Sequence, residues 1–173
     1  MNNRQKDDWY PTPPDATKDL LRVESFAPVI WEPACGDGAI SKVLADNYDV
    51  ISTDLNDYGF GTPSVDFLME TTAMASQIVT NPPYKLANEF ILKAIDLGIE
   101  KHAYLLRTAF LEGQSRYKNL YAQNPPKNIW VFSRRLTMSR GDHDEAWYGS
   151  GKISFAWFIF EKGYTGKPSL GWL

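Results

Sequence analysis

Cysteine is almost missing from this chain: Cys35 stands alone among 173 residues. One thiol excludes an internal disulfide and suits a reducing, cytoplasmic compartment. Histidine is nearly as scarce, at two residues, so a dedicated zinc site is not expected. No apolar run is long enough to span a bilayer, and no basic-then-apolar leader opens the chain, so neither a membrane segment nor a signal peptide is expected. Internal repeats and low-complexity tracts are also missing. The glycine-rich stretch "EPACGDG" (32–38) is not GxGxxG, and no Lys-Ser/Thr pair follows it. That excludes both the standard dinucleotide fingerprint and a phosphate-binding P-loop.

What is present fits a single domain over residues 1–173, with residues 1–8 polar and expected to be flexible. Aromatic residues make up 14% of the chain, enough to fill a core and still line a surface. Net charge is −3, but it is unevenly spread. Residues 1–100 hold 7 Lys and Arg against 16 Asp and Glu, whereas residues 101–140 hold 8 basic residues and only Glu112. A basic stretch inside an acidic protein reads either as solvated helix and loop charges or as a surface that meets phosphates.

Hydrophobic patterning predicts alternating strands and helices. Strands are expected at 27–33, 49–55, 64–68, 76–81, 101–108, 128–134 and 153–162. Helices are expected within 12–23, after a Pro-rich turn (stripe Ala16, Leu20, Val23), over 40–48 and 85–98, and within 113–123. Strands alternating with helices imply a parallel sheet covered on both faces. No helical pattern separates the last two expected strands, so one antiparallel strand is expected toward the C-terminal side. The fold expected is therefore α/β and Rossmann-like, with a seven-stranded, mostly parallel sheet. The 133–152 segment becomes a loop on the substrate side.

Four weak signals converge on one edge of that sheet. The glycine loop after the first strand lets main-chain N–H groups approach a ligand, although a plain tight turn reads equally well. Asp54 ends the second expected strand, where an acid accepts from a ribose diol or is merely solvated. Asp66, beside Phe67, suits an exocyclic amine and its ring, or a surface turn. "NPPY" (81–84) follows the fourth expected strand. Open α/β sheets bind ligands at the carboxyl ends of their strands, so these residues would share one crevice.

Taken in order, "TPP" (12–14), "EPACGDG" (32–38), "TDL" (53–55), "DFL" (66–68) and "NPPY" (81–84) resemble the motif series of amino-methylating DNA methyltransferases. The resemblance is to the N6-adenine group, in which the N-terminal cofactor motif precedes the glycine motif. It implies the class I methyltransferase fold, S-adenosyl-L-methionine as cofactor, and duplex DNA with a flipped-out base as partner. Tyr10, Thr12 and Pro13 would then hold the methionine end of the cofactor. Glu32, Ala34 and Gly36 would line it, Asp54 would take the ribose hydroxyls, and Asp66 with Phe67 would take the adenine. Asn81, Pro82, Pro83 and Tyr84 would form the catalytic pocket, with Asn81 also touching the cofactor.

The chemistry needs those residue types. An aromatic exocyclic amine is a poor nucleophile because its lone pair is delocalised into the ring. Two acceptors aimed at its N–H bonds, the Asn81 side-chain oxygen and the rigidly held Pro82 carbonyl, localise that pair. Tyr84 offers a face for the unstacked base. Beyond the motifs, Arg134, Arg135 and Arg140 are expected to meet phosphates, and Trp147 and Tyr148 to stack on bases, although Asp142, Asp144 and Glu145 sit among them. Cys35 lies in the cofactor loop, outside the catalytic tetrapeptide, and reads as a packing residue.

The chain departs from sequence-specific members of the group. Only eleven residues follow the last expected strand, so no target-recognition domain is expected. Specificity is then low or short-site, or comes from the two late loops, from a homodimer, or from a protein partner. Small stand-alone catalytic domains of this kind resemble those of bacteriophages, acting inside the bacterial host. The tetrapeptide alone also suits RNA bases, cytosine N4, a protein glutamine amide, or a catalytically silent binding module.

Overall fold

The computed structural model describes residues 11–136, 138 and 153–173. The expected flexible residues 1–8, Tyr10, Arg140, Trp147 and Tyr148 fall outside those residues, as does most of the 133–152 loop. Seven strands form one sheet: β1 (Val29–Glu32), β2 (Asp49–Ser52), β3 (Gln77–Thr80), β4 (Lys101–Arg107), β5 (Asn128–Val131), β6 (Phe155–Glu161) and β7 (Ser169–Trp172). Their order is β2-β1-β3-β4-β6-β5-β7. β2, β1, β3 and β4 run parallel to one another. β6 is antiparallel to both of its neighbours, β4 and β5, while β7 is parallel to β5. Every strand but β6 therefore points the same way, and their carboxyl ends share one rim.

The pleat divides the core in two, because alternate residues of a strand face opposite sides. Ile30, Val79, Leu105, Trp157 and Ile159 face the helices α1 (Pro14–Val23) and α2 (Ala39–Leu44), meeting Ala16, Leu20, Ile40 and Leu44. Trp31, Ile78, Tyr104, Leu106, Phe158 and Phe160 face the other way, onto Phe90, Ile91 and Ala94 of α3 (Ala87–Asp96) and onto Leu120. Gly98 stops α3 at φ +72°, a left-handed conformation that closes a helix end without a Cβ penalty. The expected 113–123 helix is one α turn (α4, Gln114–Arg116) running into a π-helical segment, Tyr117–Tyr121. No helix among the described residues is long and apolar enough to cross a membrane.

One expected strand is not formed, the expected 153–162 strand is β6, and one observed strand was not expected. The 64–68 segment is no strand: Pro63 has no N–H to give a ladder, and Ser64 takes φ +63°. The Asp66 side chain instead caps a 3-10 turn, Phe67–Met69. The seventh strand is β7, formed by "SLGW" pairing with β5. Its residues are mostly exposed, so the sequence carries no buried alternation there. Val23, expected in the α1 stripe, is 38% exposed at the last turn, and α2 stops at Leu44, short of the expected 48.

Candidate active site

β1 leaves the sheet at Glu32, and the chain turns through "PACGDG" into α2. Gly38, at φ +81°, precedes the helix, and a Cβ there would lie 2.5 Å from the Phe60 ring. The Gly36 N–H is donated to Asp54 Oδ2 at 2.9 Å, and the Asn56 N–H to Asp54 Oδ1 at 2.9 Å. Two main-chain donors thus orient a nearly buried carboxylate whose oxygens each keep a lone pair for a ligand. Asp66 uses Oδ1 to accept from the Leu68 N–H at 3.0 Å. Phe67 is buried, its ring centroid 5.1 Å from Trp31 and 4.8 Å from Phe90.

These residues surround a cavity of about 390 Å³ at the rim beside β1, a size that suits a small ligand. The chain passes from β1 to β2 on one side and to β3 on the other, so the crevice lies where the strand order switches. Thr12, Glu32, Ala34, Asp54, Asp66, Phe67, Asn81 and Pro83 all line it. Pro13, Gly36, Pro82 and Tyr84 do not line it, although each adjoins a residue that does. The cavity adds Asp37, Leu55, Asn56, Tyr58 and Lys85 to the expected set. Asp37 was legible within the glycine motif, whereas Tyr58 belongs to an irregular loop with no pattern to mark it.

The lining holds four carboxyl groups, Glu32, Asp37, Asp54 and Asp66, and one cation, Lys85. Such a cavity favours a ligand with net positive charge. Burial pushes the Glu32 carboxyl well above its ordinary range, outweighing the hydrogen bond it accepts from the Ser41 hydroxyl. Burial likewise pushes the Cys35 thiol up to about 12. A thiol so protected is no nucleophile at neutral pH, in keeping with a packing role.

Asn81 stands just past the carboxyl end of β3. Its Nδ2 donates to Thr12 Oγ1 at 3.1 Å, which fixes the amide so that Oδ1 is its acceptor end. Three residues on, the Tyr84 ring packs 6.1 Å from Phe155, and the Arg107 guanidinium lies 4.8 Å from its centroid. Arg134 is paired with Asp19 of α1 at 2.6 Å, while Arg135 is exposed. Both follow β5, whose carboxyl end lies on the same rim.

No protein-family model matches the chain, and no curated protein matches it in sequence. Solved structures do match. A candidate RNA methyltransferase from Pyrococcus horikoshii superimposes with a TM-score of 0.65 at 14% identity, covering 94% of this chain and 92% of that one. A candidate class I S-adenosylmethionine-dependent methyltransferase from Listeria monocytogenes gives 0.62 at 14% identity, covering 100% and 67%. The fold is that of the class I methyltransferases. A modification subunit of a candidate type I restriction enzyme from Vibrio vulnificus gives 0.63 at 12% identity, covering 97% of this chain. The present chain spans 48% of that subunit.

Proposed function

We propose that this class I methyltransferase fold binds S-adenosyl-L-methionine and methylates the exocyclic N6 amine of adenine in DNA, with the base flipped out of the duplex and with low or short-site sequence specificity. The observation that carries this reading is the convergence of Asn81 and Pro83 on the same cavity as Thr12, Glu32, Asp54 and Asp66. When bound, the cofactor supplies an electrophilic methyl group on a sulfonium centre. The cavity's excess of carboxyl groups suits that cation. Asp54, held by two main-chain donors, is oriented to accept from the ribose hydroxyls, and Asp66 to accept from the adenine amine.

On the substrate side, Asn81 Oδ1 and the Pro82 carbonyl accept from the two N–H bonds of the target amine. That draws the nitrogen lone pair out of the ring and toward the methyl donor. Positive charge grows on the nitrogen as the new N–C bond forms, so both acceptors bind the transition state more tightly than the ground state. The methyl–sulfur bond would break as the N–C bond forms, leaving the cofactor as a neutral thioether, and the nitrogen would then lose one proton to water. Tyr84 supplies a stacking face worth about 1–3 kcal/mol for a base. The structural similarity to a restriction-enzyme modification subunit supports DNA, whereas that to a candidate RNA methyltransferase keeps RNA as the competing acceptor.

The deciding experiment is transfer from labelled S-adenosylmethionine to unmethylated duplex DNA, and in parallel to RNA, followed by nucleoside analysis. N6-methyladenine in the DNA digest is expected. Label confined to RNA or to protein would overturn the reading.

Glu32 gives a second expected result. Burial raises its pKa in the free protein, and a cationic group bound beside it favours the charged form and lowers that pKa. Cofactor binding should therefore release protons from the wild type and release fewer from Glu32→Gln. Calorimetry in two buffers of different ionisation enthalpy measures the difference, and equal release would remove Glu32 from the cofactor's cationic end.

A further inference from the structure

Residues 101–140 hold eight of the chain's basic residues, of which Arg140 lies outside the described residues. Four of the rest are committed within the fold. Lys101 pairs with Glu24 at 2.6 Å, Lys127 with Glu161 at 2.7 Å, and Arg134 with Asp19 at 2.6 Å. Arg116 donates to the Phe110 and Glu112 carbonyls and lies on the Phe110 ring. Arg107 differs from all of these. It ends β4, the strand beside β3, at the rim where Asn81 and Tyr84 follow. It is exposed, and among the described residues no carboxylate pairs with it. Its guanidinium rests instead on the Tyr84 ring, 4.8 Å from the centroid. Phe155, its register partner on β6, packs against the same ring.

We propose that Arg107 is a positioning residue for the target nucleotide. In the free protein it holds the Tyr84 ring, and in the complex it takes a backbone phosphate flanking the base that lies on that ring. The inference rests on the stacking role given to Tyr84 above. A guanidinium that contacts a ring through its face keeps its N–H donors in its own plane, and that planar fork matches the two oxygens of a phosphate. A nucleotide whose base lies on Tyr84 carries its phosphates at the edge of the stack, toward the rim where Arg107 stands. An ion-paired arginine has its fork already occupied.

The test compares wild type, Arg107→Ala and Arg107→Lys on the polynucleotide that the wild type methylates, over a range of salt concentrations. Removing one phosphate contact should flatten the plot of log(kcat/KM) against log salt by about 0.9 for duplex DNA or about 0.7 for a single strand. In the alanine variant the KM for the polynucleotide should rise about tenfold with kcat changed less, the size of one charge-assisted contact. Lysine should restore the slope but not the full KM, since it keeps the charge and loses the fork. Cofactor affinity should stay the same in both variants. A wild-type slope and KM in Arg107→Ala would overturn the proposal. So would a fall in kcat and melting temperature with the slope intact, because Arg107 would then only support Tyr84 structurally. If the wild type methylates no polynucleotide, the stacking reading falls with it. An active wild type beside an unaffected Arg107→Ala removes Arg107 alone.

Discussion

Replacing Asn81 by alanine is expected to lower methyl transfer by about 10²–10³-fold or more, the cost of removing one preorganised group that meets charge developing in the transition state. Cofactor affinity should change little. Asp54 is oriented by the main-chain N–H groups of Gly36 and Asn56, and Asp66 by that of Leu68, none of which involves Asn81. Asn81 Nδ2 donates to Thr12, whose hydroxyl can turn to another partner. Asn81→Asp supplies the control, because it keeps an acceptor while losing the Nδ2 donor. Activity should therefore fall in the order Asn, Asp, Ala. Single-turnover rates, with cofactor affinity measured calorimetrically on the same preparations, separate chemistry from binding. A transfer rate in the alanine variant within tenfold of wild type would sink the acceptor mechanism, whatever the substrate.

The second large effect concerns stability and lies at the opposite end of the sheet. Glu24 caps the end of α1 and is buried. Its Oε2 accepts from Lys101 Nζ at 2.6 Å, and its Oε1 accepts from Asn128 Nδ2 at 2.6 Å and Trp130 Nε1 at 2.7 Å. One carboxylate thus ties α1 to β4 and β5. Alanine at this position would leave a largely buried ammonium and two N–H groups without that acceptor, a loss of about 3–5 kcal/mol. The melting temperature should fall by roughly 10 °C. Glutamine should cost less but in the same direction, since its amide nitrogen cannot accept.

Acid dependence checks the same site. Burial would raise the Glu24 pKa, but the hydrogen bonds from Lys101, Trp130 and Asn128 outweigh it and hold the carboxyl below the ordinary 4.5. A depressed acid contributes stability that is present above pH 4.5 and lost as pH falls through the lowered value. Wild type should therefore lose stability on acidification below 4.5, and Glu24→Gln should lack that part of the loss. Urea unfolding at pH 7 and at pH 3.5 measures both. Equal stability of wild type and Glu24→Ala at pH 7 would remove the carboxylate as a tie.

The sequence made the architecture legible wherever burial was two-sided. β1, β3, β4 and β6 are apolar runs with few alternatives, and the missing helical pattern before β6 correctly marked its antiparallel direction. Misreading came where burial was slight. At 64–68 the apolar pair Val65 and Phe67 suggested a strand, but Pro63 and the left-handed Ser64 break the extended path. At β7 the pairing with β5 rather than side-chain pattern makes the strand. The cavity lining was legible in part: "EPACGDG", "TDL" and "NPPY" follow β1, β2 and β3 to the rim, whereas "TPP" and "DFL" follow no strand and reach the cavity through loops.

The contacts joining distant segments were not legible. Thr12 meets Asn81 across 69 positions, and Arg134 meets Asp19 across 115. The second pairing bears on the phosphate role expected for Arg134, since Asp19 already holds one end of its guanidinium. Local pattern carries no information on such pairs. The basic stretch pointed to a surface, but only the contact with the Tyr84 ring singled out Arg107.

The division of the core by the pleat has a further consequence for how this protein tolerates change. Tyr104 and Leu106 belong to one side of the sheet, Ala103 and Leu105 to the other. Deleting or inserting a single residue in β4 would exchange its two faces, send the Tyr104 ring toward the side that Ala103 fills, and turn Arg107 away from Tyr84. Substitutions of similar volume are absorbed far more readily. Length changes should therefore be tolerated in connections such as 54–76, whereas β4 should tolerate substitution but no change in its residue count.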